Sequence, residues 1–467
     1  MSELSPHEAP IAGMVDDEGG ESITETGARA HGPSAPATSS RRRAAARATG
    51  AASATATVAA PATGEISWDI EVEPYAEHEL VERYLGIFGG RARSYTESRL
   101  ERGTRYESLI RSRLREADMP EDLYYLAFVE SGFDAHAYSR AAAVGMWQFM
   151  TTTARAVGLR VDWWVDDRRD PVRSTDAAVR HLADLRRQFD GSAYLAAAAY
   201  NGGSGRVSRA LGQNASDVDD AEGEDRFFAL AEAGGLRDET RNYVPQLIAV
   251  AMIAKEPERY GITVDPLPPL AYDSVMVPAA TPLAAVALAS GASLDDVKEL
   301  NGRFLRGMTP PEGRQWEVRV PAGLGAGFTE RFAELPDSVR DGVERVEAKK
   351  GETLASVARE HGLTERQLGW YNPGVNVDGK GKLRSSAMLL VPSLAVVEAA
   401  LDVADPAAER YSDAPKKKAA PQTYTVRSGD SLDRIARRHG LTVKALKSLN
   451  GLEGDLIRPG QKLVVSR

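Results

Sequence analysis

Glu130 is the residue of this sequence best placed for acid–base chemistry. It follows the apolar run from Leu123 to Val129, which has helical spacing, and it precedes a helix break at Gly132. A glutamate at the edge of an apolar surface is desolvated, and desolvation raises its pKa towards the range that a general acid needs. The sequence therefore predicts that Glu130 donates and accepts a proton.

Asp134, four residues later, is a second acid to consider. Enzymes that hydrolyse glycosidic bonds commonly use two carboxyl groups, about 5 Å apart for retention and about 6.5–9.5 Å apart for inversion of configuration. Because the helix breaks at Gly132, sequence spacing does not fix the orientation of Asp134. A mechanism with two carboxyl groups and one with a single carboxyl group both stay open.

The composition predicts neither a metal nor a cofactor. The sequence has no cysteine, and His136 and His181 form no His-x-x-x-His pair and have no neighbouring cluster of acids. A net charge of -9 argues against nucleic acid as a partner. No run of about 18 apolar residues, the length that crosses a bilayer, occurs in the chain.

The elements that must position Glu130 are predicted to be helices. Asp118, with Pro120 in the first turn, predicts the start of the helix that carries Glu130, and Asp170-Pro171 predicts another helix start. Apolar spacing predicts lead-in helices between residues 66 and 115. Further helices are predicted at about residues 151–157, 174–189, 193–199, 205–211, 227–233 and 240–255.

A repeat follows the proline-rich residues 266–269. Gly351-Glu-Thr-Leu354 aligns without gaps with Gly429-Asp-Ser-Leu432, and a weaker copy keeps the register with Thr281-Pro282 at its entry. Each copy is predicted to end in a strand, and the two better copies to open with one. These strands are expected at residues 317–320, 387–391, 462–465, 345–348 and 424–427. The predicted unit is strand, helix, helix, strand.

Four segments of the helical region resemble the lytic transglycosylases of the goose-lysozyme-like superfamily in order and spacing. They are Glu130-Ser-Gly-Phe-Asp-Ala-His-Ala-Tyr-Ser139, Gly145-Met-Trp-Gln-Phe-Met150, Ala199-Tyr-Asn-Gly-Gly203 and Glu239-Thr-Arg-Asn-Tyr-Val244. With Trp164-Val-Asp-Asp-Arg-Arg-Asp-Pro171 and the C-terminal repeats, the chain looks most like the membrane-bound lytic murein transglycosylase D group. Ala135 stands where the family usually has proline, and Tyr194 where its closest members often have tryptophan. Neither departure removes a reacting group.

The repeats resemble LysM modules, which bind glycans that contain N-acetylglucosamine. The implied fold is mainly α: a lysozyme-like all-α catalytic domain, followed by small α+β (βααβ) LysM modules. The expected domains are a disordered leader at 1–64, a transglycosylase domain with lead-in helices at 65–265, a degenerate LysM-like module at 270–322, a LysM module at 343–394, a linker at 400–422 and a LysM module at 423–467. For the degenerate module, sugar binding and a role as spacer or protein contact are both open.

The resemblance also implies roles for single residues. Glu130 is the catalytic acid/base, and Ser139 is expected to form a hydrogen bond near its carboxylate. The other residues expected to bind substrate are Gln148, Met150, Tyr200, Asn201, Glu239 and Tyr243. The residues expected to bind glycan in the LysM modules are Gly351, Glu352, Thr353, Asn372, Gly429, Asp430, Ser431 and Asn450. Trp147 and Trp164 could stack on sugars but are more readily explained as core residues.

The implied function is cleavage of the β-1,4 bond between N-acetylmuramic acid and N-acetylglucosamine in peptidoglycan glycan strands. The cleavage would leave a 1,6-anhydro end, and the LysM modules would anchor the enzyme to the cell wall. A hydrolytic muramidase and a catalytically silent peptidoglycan-binding protein are the alternatives. The expected location is the cell envelope, in the periplasm or at the outer membrane, although the acidic residues 1–20 show no export signal.

Overall fold

The computed structural model describes residues 67–313, 315–403, 406, 422–427, 429–438, 442–450, 452, 454 and 456–466. The predicted leader at 1–64 and most of the predicted linker at 400–422 lie outside the described residues. Within them, helices come first and three two-stranded sheets follow. This order confirms the predicted fold class, mainly α followed by small α+β units.

The first domain is helical from about residue 73 to residue 260. Its α-helices are α1 (Glu79–Gly86), α2 (Arg93–Glu116), α3 (Leu126–Ser131), α4 (Thr151–Ala156), α5 (Pro171–Gln188), α6 (Ala193–Gly202), α7 (Ser204–Gln213), α8 (Ala215–Val218), α9 (Asp225–Glu232) and α10 (Asp238–Lys255). Short 3-10 helices lie at Glu73–Tyr75, Glu121–Tyr125, Asp167–Arg169 and Pro257–Tyr260, and a π-helical turn at Ile87–Arg91.

The core of this domain surrounds α3, α6 and α10. Residues 244 and 247–251 of α10 are fully buried, as are residues 126–128 of α3. In α6 the run from Ala196 to Ala199 is buried and has small side chains, so neighbouring helices approach it closely. Tyr200 and Asn201, two of the predicted site residues, come directly after this run, in the last turn of the helix.

The chain enters α3 differently from the prediction. Asp118 has a left-handed φ of 53° and does not cap the helix. Pro120 occupies the cap position, and the first turn, Glu121–Tyr125, is a 3-10 helix that continues into α3. Aspartate tolerates left-handed backbone, so Asp118 serves the turn after α2 instead. The predicted break is present, because Gly132 ends α3 with a φ of 63°.

The helix start predicted at Asp170-Pro171 is confirmed. The Asp170 carboxylate accepts hydrogen bonds from the N–H groups of Val172 and Arg173, both at 3.0 Å. Pro171 is the first residue of α5, where its missing N–H costs no helical hydrogen bond. The start therefore lies three residues earlier than the periodicity alone indicated.

Three antiparallel strand pairs define the repeats. The first repeat contains β1 (Tyr272–Pro278), α11 (Leu283–Ser290), α12 (Leu294–Leu300) and β2 (Gln315–Pro321). The second contains β3 (Val343–Ala348), α15 (Leu354–Glu360), α16 (Glu365–Tyr371) and β4 (Ala387–Pro392), and the third β5 (Gln422–Thr425), α18 (Leu432–Arg438), α19 (Val443–Asn450) and β6 (Lys462–Ser466). Helices α13 (Phe328–Glu334) and α14 (Asp337–Arg340) join the first two repeats, and α17 (Leu394–Ala399) follows the second.

The first repeat has an opening strand that the sequence analysis missed. In β1, Val275 and Val277 are buried while Met276 between them is 54% exposed. This alternation is the signal of a strand with one covered face. An opening strand was predicted only for the other two copies, so the first repeat also has the complete strand, helix, helix, strand order.

One asparagine has the same structural role in all three repeats. The Asn372 amide donates to the carbonyl groups of Leu368 and Leu390, and its Oδ1 accepts from the Leu390 N–H at 2.8 Å. Asn301 and Asn450 make the equivalent three bonds to their own second helix and last strand. The asparagine therefore joins helix to strand in each unit.

Candidate active site

Glu130 lies in the last turn of α3, half-buried at the edge of the helical core. Its Oε1 accepts a hydrogen bond of 2.6 Å from the hydroxyl of Tyr243, which is buried in α10. The two residues are 113 positions apart in sequence. The structure thus brings the predicted acid into contact with Tyr243, one of the residues expected to bind substrate.

Burial dominates the acidity of Glu130. Desolvation raises the pKa of its carboxyl group from 4.5 to about 8. The Tyr243 hydroxyl opposes this shift by stabilising the carboxylate, and the negative charge of Glu239 adds to it. A carboxyl group with such a pKa is protonated at neutral pH and can donate its proton, as a general acid must.

Tyr200 and Asn201 lie at the end of α6, and Tyr200 is close enough to Glu130 to feel its charge. The Tyr200 hydroxyl donates to the carbonyl oxygen of Trp147 at 2.8 Å, and the charge of Glu130 contributes to a raised Tyr200 pKa, after burial as the main cause. Asn201 Oδ1 accepts from the Thr240 hydroxyl at 2.9 Å, which joins the end of α6 to the start of α10. These contacts hold Tyr200 against the segment that contains Trp147 and hold Asn201 against α10.

Ser139, Gln148 and Met150 belong to an irregular segment, residues 134–150, that we call the groove loop. The Ser139 hydroxyl accepts from the Ala143 N–H at 2.9 Å. It therefore stabilises a turn of the loop, whereas a bond near the Glu130 carboxylate was expected. Gln148 adopts a left-handed φ of 49° and donates its side-chain amide to the Gly145 carbonyl at 2.8 Å. Gln148 and Met150 are half-buried, and Met150 precedes the first residue of α4.

Asp134 also has a local role. Its Oδ1 accepts from the His136 N–H at 2.8 Å, and its own N–H donates to the Ser131 hydroxyl at 3.0 Å. Its charge acts to raise the pKa values of Tyr106 and Arg169. Asp134 is thus part of the turn after α3.

Trp147 is a core residue and Trp164 packs against the cores of two repeats, so both have the structural role that the sequence analysis favoured. Trp147 is fully buried, and its indole N–H donates to the Thr175 hydroxyl at 3.0 Å. Trp164 packs between the cores of the first and second repeats, edge-on to Tyr371. Among the described residues, no three His, Asp or Glu side chains are grouped to hold a metal.

Comparison with known proteins supplies the family. The model described as "Transglycosylase SLT domain" matches residues 108–222, that of the "LysM domain" matches residues 346–392 and 424–466, and that of the "Lytic transglycosylase MltD, LysM-like domain" matches residues 271–337. Membrane-bound lytic murein transglycosylase D of Escherichia coli K12 is 31% identical over 400 residues, which cover 83% of this chain and 80% of that relative. This chain belongs to the same family.

It is a peptidoglycan lytic transglycosylase that carries LysM peptidoglycan-binding modules. The peptidoglycan transglycosylase gp16 of Escherichia phage T7 is 37% identical over 139 residues, 29% of this chain and 10% of that protein. The crystal structure of the 70 kDa soluble lytic transglycosylase of Escherichia coli aligns at 24% identity with a TM-score of 0.28, covering 34% of this chain and 25% of that one. No helix in the described part of the transglycosylase is long and apolar enough to cross a membrane.

Six of the eight predicted glycan-binding residues lie in the entry loops of the second and third repeats, the loops that precede α15 and α18. Thr353 caps α15 by accepting from the Ser356 N–H at 3.0 Å, and Ser431 accepts from the Arg434 N–H. In the second repeat this loop pairs with the loop before β4, since the Gly351 N–H donates to the Leu383 carbonyl at 2.9 Å. The two loops of the unit therefore lie side by side.

The acidic and asparagine side chains predicted to bind glycan already form hydrogen bonds within their own repeat. Asp430 accepts from the Tyr424 hydroxyl and the Arg427 N–H, both at 2.8 Å, and the backbone bond lowers its pKa. Glu352 is exposed. The amides of Asn372 and Asn450 bond to the helix and strand of their own repeat, so the proposed sugar site does not include them.

Sequence reasoning missed Arg168 as a residue of the site. It is 1% exposed and binds Asp166 through two nitrogen atoms, at 2.8 and 2.9 Å. It also donates to the carbonyl of Phe149 at 3.0 Å, and so holds one end of the groove loop. The available signal was the dense charge of the segment from Trp164 to Pro171, which was recognised only as a family marker.

Proposed function

We propose that Glu130 cleaves the β-1,4 bond between N-acetylmuramic acid and N-acetylglucosamine by acting first as acid and then as base. Its protonated carboxyl group donates a proton to the leaving glycosidic oxygen. The C6 hydroxyl oxygen of the muramic acid then bonds to the anomeric carbon, and Glu130 accepts the proton of that hydroxyl. One bond breaks and one forms without water, which leaves a 1,6-anhydro end.

The observation that carries this proposal is that one carboxyl group at the site, that of Glu130, has a pKa raised by burial to about 8. Burial keeps Glu130 protonated at neutral pH. Asp134 is bonded into a turn, and Glu239 is exposed and acts on Glu130 through its charge. A nucleophile supplied by the substrate suits this arrangement better than a pair of carboxyl groups does.

The proposed substrate residues are those around this acid. Tyr200, Asn201 and Tyr243 would position the reacting sugar, and Glu239 would lie at the edge of the groove. Ser139 would act through the shape of the groove loop, because its hydroxyl oxygen accepts the Ala143 N–H within a turn. Gln148 and Met150, at the end of the same loop, would contact the glycan strand.

The LysM loops would hold the enzyme on the polymer. We propose that Gly351, Glu352 and Thr353 of the second repeat, and Gly429, Asp430 and Ser431 of the third, contact the acetamido groups of the glycan. A module of about 40–50 residues binds a sugar weakly, and two in one chain raise the effective concentration on a polymer. Such retention suits an enzyme in the cell envelope, in the periplasm or at the outer membrane.

Mass spectrometry of peptidoglycan digests tests the reaction. The wild-type protein should release fragments one water lighter than lysozyme products, and Glu130→Gln should release none. Gln keeps the size of the side chain but cannot donate the proton. A Glu258→Gln control changes an exposed glutamate of the same domain and should digest normally.

The same digest separates the alternatives. Fragments with reducing ends would identify a hydrolytic muramidase and would require an activated water. Wild-type protein that binds peptidoglycan but releases nothing would instead identify a catalytically silent binding protein.

A further inference from the structure

The entry loop of the first repeat is closed by its own chain. Thr281, which aligns with the exposed Glu352 of the second repeat, is only 1% exposed. Its N–H donates to the Thr309 hydroxyl and its carbonyl accepts from the Thr309 N–H, both at 2.9 Å. The Glu352 carbonyl likewise accepts from the Leu383 N–H at 2.8 Å. The two repeats therefore differ in exposure, because Thr281 is buried where the second repeat presents an exposed carboxylate.

The loop that faces this entry, residues 302–310, is covered by the second repeat and α17. Met308 is fully buried and belongs to the core of the second repeat. Gly307 lies so close to α17 that a Cβ atom there would be 2.2 Å from the Val396 carbonyl oxygen. The guanidinium group of Arg306 lies 4.1 Å from the ring centre of Trp163 in the helical domain and 5.6 Å from that of Trp370 in α16. The face that stays open in the second repeat is here an interface between domains.

Two arginines of the first repeat bind the helical domain through a segment we call the brace, residues 161–170. Arg319 Nη1 donates to Asp170 Oδ1 at 2.9 Å, and Arg303 Nη1 lies 3.4 Å from Asp167 Oδ1. All four side chains are less than 10% exposed. The Arg303 carbonyl also accepts from the Asp166 N–H at 2.9 Å. Buried pairs of this kind fix relative position, because removal of one partner leaves a charge unpaired.

The brace in turn holds the groove loop. Arg168 donates to the carbonyl groups of Ala142 and Phe149 at 3.3 and 3.0 Å. At Gly145 the two segments touch, since a Cβ atom there would be 1.9 Å from the Arg168 carbonyl oxygen. The groove loop is therefore held by the brace at several points along its length.

The first repeat also touches the groove loop directly. Gly302 packs against the ring of His136, and a Cβ atom at Gly302 would lie 2.6 Å from that ring. The carbonyl of His136 accepts from Arg169 of the brace at 3.3 Å. The beginning of the groove loop is thus enclosed between the brace and the first repeat.

We propose that the first repeat binds no glycan and instead positions the groove loop for the reaction, with Arg319 as the positioning residue that connects the repeat to the brace. Arg319 touches no reacting atom and acts through Asp170 and Arg168. The inference rests on the proposed function in one respect, which is that the groove loop contacts the substrate.

The test uses the full chain with Arg319→Met, which keeps the side-chain stem and removes the guanidinium group. We expect KM for a soluble peptidoglycan oligosaccharide to rise on the order of tenfold, because a small displacement of groove residues weakens binding. Hydrogen exchange of residues 138–150 should quicken by about tenfold, while exchange in α3 and α10 stays unchanged. General destabilisation would instead lower kcat at constant KM.

Two further variants make this test decisive. Glu299→Gln breaks the Arg105–Glu299 pair, an exposed contact of 3.0 Å between the same two domains that does not involve the brace, and it should leave KM and loop exchange unchanged. Asp170→Asn keeps the helix cap and removes the charge that Arg319 meets. If Arg319→Met unfolds the first repeat, Asp170→Asn decides alone. Loop exchange and KM equal to those of Glu299→Gln would overturn the proposal.

Sugar binding is tested with chitopentaose on the Glu130→Gln protein, again by hydrogen exchange. Residues 279–283 and 302–310 should show no protection, whereas the entry loop at 351–353 should be protected. Protection of either segment in the first repeat would refute the inference. Lack of protection at 351–353 would count against the proposed LysM function alone, since KM and loop exchange test the positioning role separately.

Discussion

The hydroxyl of Tyr243 donates a hydrogen bond of 2.6 Å to Oε1 of Glu130, so α10 contacts the acid that α3 carries. This bond favours the carboxylate, whereas burial and the charge of Glu239 favour the protonated acid. Because burial is the larger effect, the pKa of Glu130 stays at about 8. Tyr243 therefore lowers the pKa of Glu130 and fixes the direction in which its carboxyl group points.

Tyr243→Phe should move the alkaline limb of the pH–kcat profile to higher pH. Loss of the hydroxyl removes a donor to the carboxylate, so the pKa of Glu130 rises and the acid stays protonated further into the alkaline range. At pH 7 kcat should nevertheless fall by about tenfold, because the carboxyl group loses its orientation. An alkaline limb that moves to lower pH would contradict this role for Tyr243.

Glu239→Gln should move the same limb in the opposite direction. The negative charge of Glu239 raises the pKa of Glu130, so its removal lowers that pKa. The exposed Glu258 of the same domain supplies a matched control, and Glu258→Gln should leave the profile in place. Identical limbs for the two variants would show that Glu239 does not act on the acid.

Glu130→Gln should stabilise the fold at alkaline pH. The pKa of Glu130 is raised on folding, so its contribution to stability is fully present below about 4.5 and is lost as the pH rises through about 8. The neutral Gln lacks this loss. We expect similar melting temperatures at pH 5 and a gain of about 1–3 kcal/mol for the variant at pH 9. A variant less stable than wild type at pH 9 would indicate that Glu130 is not desolvated.

The helical domain was accessible from sequence because periodic apolar residues report which face of a helix is buried. That signal located α5 and α10, and it placed Glu130 at the end of a buried helix. It could not show that Glu130 meets Tyr243, because 113 residues separate them and only the packed fold brings them together. The family motif supplied Tyr243 as a groove residue, and the geometry supplied its contact.

The first repeat shows where sequence reasoning ends. Its helices follow the repeat pattern, yet Met308 is buried in the core of the second repeat and Gly307 packs against α17, which lie elsewhere in the sequence. Ser139 is a similar case. A motif gives its neighbourhood, but whether the hydroxyl reaches the Glu130 carboxylate depends on the turn that the loop adopts, in which its oxygen accepts from the Ala143 N–H.

Gly145→Ala should damage the site much more than Gly158→Ala, although both glycines have left-handed backbone, with φ of 81° and 89°. The free space around each glycine distinguishes them. A Cβ atom at Gly145 would lie 1.9 Å from the Arg168 carbonyl oxygen, whereas nothing lies within 4 Å of one at Gly158. Gly158→Ala should cost about 1 kcal/mol of unfolding free energy through backbone strain alone.

Gly145→Ala should cost about 3 kcal/mol or more, because it must also separate the groove loop from the brace. Melting temperature and kcat/KM measured on both variants check this comparison. The predicted pattern is a large loss of both quantities at Gly145 and a small loss of stability alone at Gly158. Equal effects would mean that the groove loop does not depend on its contact with Arg168.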